Sequence, residues 1–443
     1  MPRLLLTFYG DDFTGSTDAL EQLSLAGIHA ALFIRPPTPA RIKDFPGLQA
    51  IGVAGKTRSL PPDAMERELK PALLALKKLG ARHVHYKVCS TFDSSPGIGS
   101  IGRVLDVASK IFSSPFVPLL AAAPALGRYT IFGNHFARFG IGSDGEIHRL
   151  DRHPSISLHP ITPMLEADLR RHLAKQTKKK IALFDILKVQ LPVVKARRAL
   201  GQLLAEKPDA VLFDALTAEH IATIGALLDR CADEKSPLFS IGSSGIEMAL
   251  AAAWKKKRLP AKRVLTAKQI LVGSGSCSPV TRSQVNWALK QGFAEIALKP
   301  SKLANPATSA EEIHRAAAAA ANSLQSGRSV IVHSAKNAPD KQISGKFKGR
   351  AAEMIGSALG HVLLKAVRQS SVHRICIAGG DTSSYAARAM GIEALEMIAP
   401  LTPGAPLCRA KASGPALDGL ELVFKGGQVG PENYFEIVKN GNA

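Results

Sequence analysis

Long apolar runs are missing from this sequence, and that excludes a membrane-spanning helix, which needs about twenty consecutive apolar residues. The apolar stretch at 4–9 meets Asp11 and Asp12 almost at once, too soon for a signal-peptide core. It is expected to be a buried strand of a soluble, cytoplasmic chain. Cysteine is scarce: Cys89, Cys231, Cys277, Cys376 and Cys408 are scattered, without a C-x-x-C pair or zinc-type spacing. Neither a disulfide framework nor a zinc module is expected, and reduced thiols are the simplest reading. Acidic residues are outnumbered, 36 against 57 Lys and Arg, leaving a formal charge of +21. Aromatic residues make up only 5% of the chain. A nucleic-acid binder would interleave such charge with aromatics. Here the basic runs at 178–180, 255–258 and 346–350 are short; Phe347 alone lies within one and Trp254 flanks another. Solvated helix ends and loops account for them, so no nucleic-acid partner and no membrane partner are expected. The positive field would still gather anionic substrates.

What is present is an alternation of strand and helix. With 46% apolar and 21% charged residues the composition is globular, and 443 residues exceed one ordinary core. Apolar, β-branched or aromatic runs at 4–9, 30–34, 50–54, 83–88, 181–186, 210–213 and 238–241 predict strands, with helical periodicity at 63–79, 193–204 and 246–254. A charged, proline-bearing break at 255–268 precedes a second set, at 270–272, 295–298, 329–333, 374–378 and 420–424, with helices at 310–324 and 351–367. The expected fold is α/β, with two domains at 1–256 and 266–443, each a mostly parallel sheet flanked by helices. The section 116–163, irregular and rich in Pro, Gly and His, reads as an insertion that shapes a site.

In such sheets ligands bind at the carboxyl ends of strands, so the turns leaving strands carry the functional signal. Gly10-Asp11-Asp12-Phe13-Thr14-Gly15 sets two adjacent carboxylates there, able to position a hydroxyl, act as general base or hold magnesium. The plainer alternative makes Asp12 a helix cap and leaves Asp11 solvated. Ser90-Thr91-Phe92-Asp93-Ser94-Ser95, with Lys87 nearby, suits a carboxylate ligand. Gly379-Gly380-Asp381-Thr382-Ser383 and Lys425-Gly426-Gly427 combine glycines with donors near helix starts, the chemistry of a phosphate cradle. Gly97-Ile98-Gly99 followed by Gly102 spells G-x-G-x-x-G, but Asp106 is too close and the preceding loop too long for a dinucleotide fingerprint. A NAD-dependent dehydrogenase of a small hydroxy acid therefore stands as one alternative. A basic nucleic-acid-binding regulatory protein, resting on charge alone, is the other.

Together these turns resemble the four-carbon acid sugar kinase family. The resemblance runs through Asp11-Asp12-Phe13-Thr14-Gly15 with Asp18, Thr57-Arg58-Ser59, Tyr86-Lys87 and Cys89-Ser90-Thr91-Phe92-Asp93-Ser94. It continues through His159-Pro160-Ile161-Thr162-Pro163-Met164, Ser274-Gly275-Ser276, Ser278-Pro279-Val280-Thr281, the Gly379 to Ser383 turn, and Lys425-Gly426-Gly427 with Gly430. The Cys-Ser-Thr-Phe-Asp-Ser form is most similar to the 3-oxo-tetronate branch. The resemblance implies an ATP-dependent kinase of a small acid sugar such as 3-oxo-tetronate, threonate or erythronate, working in a cleft between its two domains. It implies sugar-acid contacts at Asp11, Asp12, Arg58, Lys87, Ser90, Thr91 and Asp93. Nucleotide contacts would fall at Ser274, Gly379, Gly380, Asp381, Thr382, Ser383, Gly426 and Gly427. In the mechanism expected from it, Arg58 and Lys87 clamp the substrate carboxylate, and Asp12 or Asp11 takes the proton of the attacking hydroxyl. Magnesium bridges the β- and γ-phosphates, with its protein ligands unassigned. A homodimer is left open.

Overall fold

The computed structural model describes residues 4–139, 144–159, 161–233, 235–255, 260, 262–334 and 351–441. The basic run at 346–350, residues 256–258, Pro160 and the side chain of Asp381 lie outside them. Contacts divide the chain into two units, Met1–Ala31 with Arg35–Pro260, and Leu32–Ile34 with Ala261–Ala443.

The first strands are β1 (Leu6–Gly10), β2 (Ala30–Phe33), which the unit boundary divides after Ala31, β3 (Ala50–Ala54), β4 (His83–Lys87) and β5 (Val117–Leu120). They are followed by β6 (Arg128–Ile131), β7 (Asn134–Arg138), β8 (Ile147–Arg149), β9 (Ile181–Phe184), β10 (Ala210–Phe213) and β11 (Leu238–Gly242). The main sheet runs β3-β1-β4-β11-β5-β10-β9, parallel at every pairing. β1, β3, β4 and β11 are buried along their whole length, as parallel strands covered on both faces must be. The helix Pro62–Lys78 shows how the cover is coded. It buries Met65, Leu69, Ala72, Leu73 and Leu76, one stripe at helical spacing, starts with Asp63 and ends with Lys77 and Lys78.

The region 116–163 is not simply an insertion. Its first strand, β5, lies inside the main sheet between β11 and β10. Pro118 argued against a central strand, yet pairing with β11 begins only at Leu119, beyond the proline. The remainder, β6-β7-β8, forms a separate antiparallel sheet.

In the second unit, β12 (Leu271–Ser274), β13 (Ala294–Ala297), β14 (Val330–His333), β15 (Arg374–Ala378), β16 (Ala394–Thr402), β17 (Ala405–Lys411) and β18 (Glu421–Lys425) follow the order β13-β14-β12-β15-β18-β17-β16. The first five are parallel; β17 is antiparallel to both β18 and β16. The β16–β17 hairpin carries Pro400 and Pro406, residues that normally demote a strand. Register shifts flank Ala399, and such irregularities accommodate a residue without a ladder donor. Among the described residues no helix is long and apolar enough to cross a membrane.

Helices Ala218–Cys231 and Gly245–Ala253 meet at Gly225, where a Cβ would stand 1.9 Å from the Ala249 carbonyl oxygen. Gly225→Ala should force the helices apart at a cost of about 1–3 kcal/mol. Thermal unfolding followed by circular dichroism should show a melting point lower by several degrees; an unchanged one refutes the packing argument.

Candidate active site

The turn after β1 is built around one guanidinium. Gly10 is required there, because a Cβ would lie 1.9 Å from Ser16 Oγ. Asp12 then takes an extended backbone and caps the helix Phe13–Leu25, accepting from the Gly15 amide at 2.7 Å. Its other oxygen accepts from Thr14 Oγ1 at 2.8 Å and from Arg58 Nη1 at 2.8 Å. Asp11 receives the rest of the Arg58 fork, Nη2 at 2.7 Å and Nε at 3.0 Å. The cap reading of Asp12 is thus correct, but Asp11 is not solvated: it is only 3% exposed. Burial lifts its carboxyl to about 6, against the pull of Arg58.

Behind this pair lies a second buried cluster. Lys87, 1% exposed, stands 3.2 Å from Asp18 and donates to the Val88 carbonyl. Burial opposes its charge, but Asp18 and Glu247 outweigh it and hold the ammonium above its ordinary range. Glu247, on the helix Gly245–Ala253, is fully buried with neither carboxyl oxygen hydrogen-bonded. Its Oε1 lies 3.6 Å from His85 Nε2, while His85 Nδ1 meets Ser240. Burial takes the Glu247 carboxyl up to about 8 and His85 down to about 3, so both are neutral at pH 7. Sequence reading missed Glu247, which no local motif marks.

The loop after β4 is held by side chains from within and from afar. Thr91 Oγ1 donates to Asp93 at 2.8 Å and lies 2.9 Å from Cys89 Sγ. Burial, reinforced by Asp93, keeps that thiol protonated, with its pKa at about 11. Phe92 is buried at φ 59°, a conformation few non-glycine residues adopt and one that functional loops retain when their surroundings enforce it. His135 on β7, fully buried, donates from Nε2 to the Ser90 carbonyl at 2.8 Å and accepts the Thr130 hydroxyl at Nδ1, also 2.8 Å. The carbonyl acceptor fixes this tautomer, and burial lowers the imidazole pKa to about 4, keeping it neutral. Proximity of His135 to Ser90 depends on how the small sheet folds back, and the sequence offers no signal for it.

The glycines suggestive of a dinucleotide loop have another purpose. A Cβ on Gly99 would lie 2.5 Å from the Arg58 carbonyl oxygen, and one on Gly102 about as close to the Gln176 backbone, at 2.6 Å. Gly99 admits close packing against the Arg58 backbone, and Gly102 against Gln176.

In the second unit, the turns leaving β12, β15 and β18 converge. A Cβ on Gly275 would lie 2.5 Å from Thr382, one on Gly379 3.3 Å from the Ser276 amide, and one on Gly427 3.0 Å from Ser276 Oγ. Gly379 has φ 128°, open only to glycine. Ser274 ends β12 and is 1% exposed, with the Gly275 amide donating to the Ala378 carbonyl at 3.1 Å. Ser383 is tied back to the Gly379 carbonyl through both its amide and its hydroxyl. Helices Pro279–Lys290 and Gly380–Met390 both start here without a side-chain cap, leaving amides for an anion. Among the described residues no group of three or more His, Cys, Asp or Glu is arranged to hold a metal.

Comparison with known proteins decides the family. A sugar-binding N-terminal domain model matches residues 6–250, and a nucleotide-binding C-terminal domain model matches residues 271–435. A 3-oxo-isoapionate kinase of Paraburkholderia graminis is 42% identical over 99% of this chain and 94% of its own. The chain belongs to the four-carbon acid sugar kinase family. Members of this kinase family are phosphotransferases that act on an alcohol group. A 3-oxo-tetronate kinase of Pseudomonas savastanoi pv. phaseolicola is 29% identical over 98% of this chain and 96% of its own. A crystal structure from Salmonella typhimurium LT2 matches 99% of both chains with a TM-score of 0.77 at 26% identity.

Because His135 holds the Ser90 carbonyl, His135→Phe should raise KM for a sugar acid about tenfold if that loop makes the sugar-acid contacts expected of it, through the loss of one hydrogen bond. The ATP KM should not move. His135→Gln, which can restore the donor, should recover most of the loss; equal KM values for wild type and the Phe variant would remove His135 from the site.

Proposed function

We propose that the chain transfers the γ-phosphate of ATP to a hydroxyl of a 3-oxo sugar acid, with 3-oxo-isoapionate the favoured acceptor over 3-oxo-tetronate. The 42% identity to the 3-oxo-isoapionate kinase, against 29% for the 3-oxo-tetronate kinase, favours that order. The observation that carries the catalytic reading is the Arg58 fork shared by Asp11 and Asp12 at the end of β1. Residues 1–256 are assigned to the sugar acid and 266–443 to the nucleotide.

Asp11 is the better base. Asp12 is committed to the turn: Oδ1 caps the helix through the Gly15 amide, and Oδ2 already takes two donors, Thr14 and Arg58. Each Asp11 oxygen accepts one Arg58 donor, leaving a lone pair for the acceptor hydroxyl. A carboxyl near 6 also takes a proton more readily than an ordinary aspartate while still being ionised at neutral pH. Arg58, whose side chain is 21% exposed, retains an edge for the substrate carboxylate. Lys87, already paired with Asp18 and the Val88 carbonyl, acts through its field rather than by contact. Ser90 and Thr91 orient substrate hydroxyls, and Asp93 fixes the Thr91 rotor. Ser274, the turn Gly379, Gly380, Asp381, Thr382 and Ser383, and the turn Gly426-Gly427 hold the nucleotide phosphates, largely through backbone amides. Magnesium would arrive with the nucleotide and would supply positive charge against its phosphates.

ADP release from magnesium-ATP across 3-oxo-isoapionate, 3-oxo-tetronate, threonate, erythronate and glycerate tests the reaction. Turnover should be highest with 3-oxo-isoapionate; no turnover with any of these acids would sink the kinase reading. Asp11→Asn should lower kcat about 10²–10⁴-fold with the ATP KM unchanged, while Asp12→Ala should chiefly cost about 1 kcal/mol of helix capping. Because a base works only when deprotonated, the rate should fall as pH drops through about 6, and that acid limb should be traceable to Asp11. Near-normal turnover by Asp11→Asn would dismiss it as the base.

A further inference from the structure

We propose that Lys425, facing the amino end of the helix Pro279–Lys290, is a built anion site that grips a terminal phosphate of the nucleotide. This rests on the nucleotide reading above and adds residues that reading does not use.

Lys425 ends β18 and is fully buried. A buried ammonium is costly unless an anion accompanies it. Its Nζ donates to Thr281 Oγ1 at 2.9 Å and lies 5.5 Å from the centroid of the Tyr434 ring. Among the described residues no carboxylate forms an ion pair with it. Cys376, facing it from β15, supplies no counter-charge, because burial pushes that thiol up to about 12. The cation is therefore held by a hydroxyl and an aromatic face alone.

The element opposite makes the imbalance greater. Thr281 lies in the first turn of a twelve-residue helix, whose amino end carries partial positive charge. That turn has no acidic residue. Ser278 stands at the cap position, yet its hydroxyl caps nothing and is buried without a hydrogen-bond partner. A lysine beside a helix amino end is the unfavourable pairing; an anion between them would turn repulsion into attraction on both sides. Thr281 also donates to the Gly427 carbonyl at 3.0 Å, tying Lys425 to the glycine turn. A Cβ on Gly427 would stand 3.0 Å from both Ser276 Oγ and Ser278 Cβ, so a bare backbone is needed where the two turns meet. Oxygens of a polyphosphate suit this donor set: an ammonium, a free serine hydroxyl and uncapped amides.

Burial lowers Lys425 to about 8. Phosphate would raise that value, so nucleotide binding at pH 8.0 should take up a fraction of a proton. Calorimetric titration of ADP and of adenosine into the full chain, in buffers of different ionisation enthalpy, reads this directly. Wild type should take up protons with ADP and none with adenosine. Lys425→Met should bind ADP at least thirtyfold more weakly, without proton uptake, while binding adenosine as before. Ser278→Ala should weaken ADP severalfold. Proton-neutral ADP binding by wild type, or equal ADP affinity in Lys425→Met, overturns the assignment and leaves the kinase reading intact. Failure of wild type to bind either ligand overturns the nucleotide reading itself.

Discussion

Two carboxylates one residue apart cannot both stay ionised in a buried turn unless a cation lies between them, and Arg58 is that cation. Much of the first unit follows from admitting its guanidinium. Gly15 leaves room for the Asp12 carboxylate that Arg58 grips, since a Cβ there would sit 2.6 Å from Asp12 Oδ1. Gly99 lets a second loop pass against the Arg58 backbone. The strand order places β1 between β3 and β4, so the turns that follow all three meet at one end of the sheet. That meeting point is where an acceptor hydroxyl would find its base and its positive charge together.

The two units solve opposite electrostatic problems. In the first, Arg58 and Lys87 both face carboxylates, and the surplus acid Glu247 is kept neutral by burial. Such a site is close to neutral before an anionic substrate arrives, and it orients more than it attracts. In the second, glycine turns, uncapped helix ends and Lys425 gather positive potential, and among the described residues no carboxylate pairs with Lys425. That imbalance suits a ligand that brings its own negative charge, as a nucleotide polyphosphate does.

Much of this was legible in the residues. Alternating apolar runs and helical stripes located most strands of both parallel sheets, because periodicity is a local property of a buried strand or a half-buried helix. The Asp11-Asp12 turn and the glycine turns were visible because backbone constraints also act within a few residues. β5 and the β16–β17 hairpin were missed because Pro118, Pro400 and Pro406 signal against strands, and tertiary pairing overrode that signal. The reading of 116–163 as one insertion failed for the same reason.

The sequence by itself determined the α/β class, the turns that matter and the residue types offered at each. Only the tertiary structure decided which of them act together. Arg58 reaches Asp11 across 47 residues and His135 reaches Ser90 across 45. Glu247 comes to His85 because β11 lies beside β4. No periodicity or turn rule encodes these meetings. They depend on strand order and on burial, which removes water and leaves each charged group to find a partner, lose its charge or wait for a ligand.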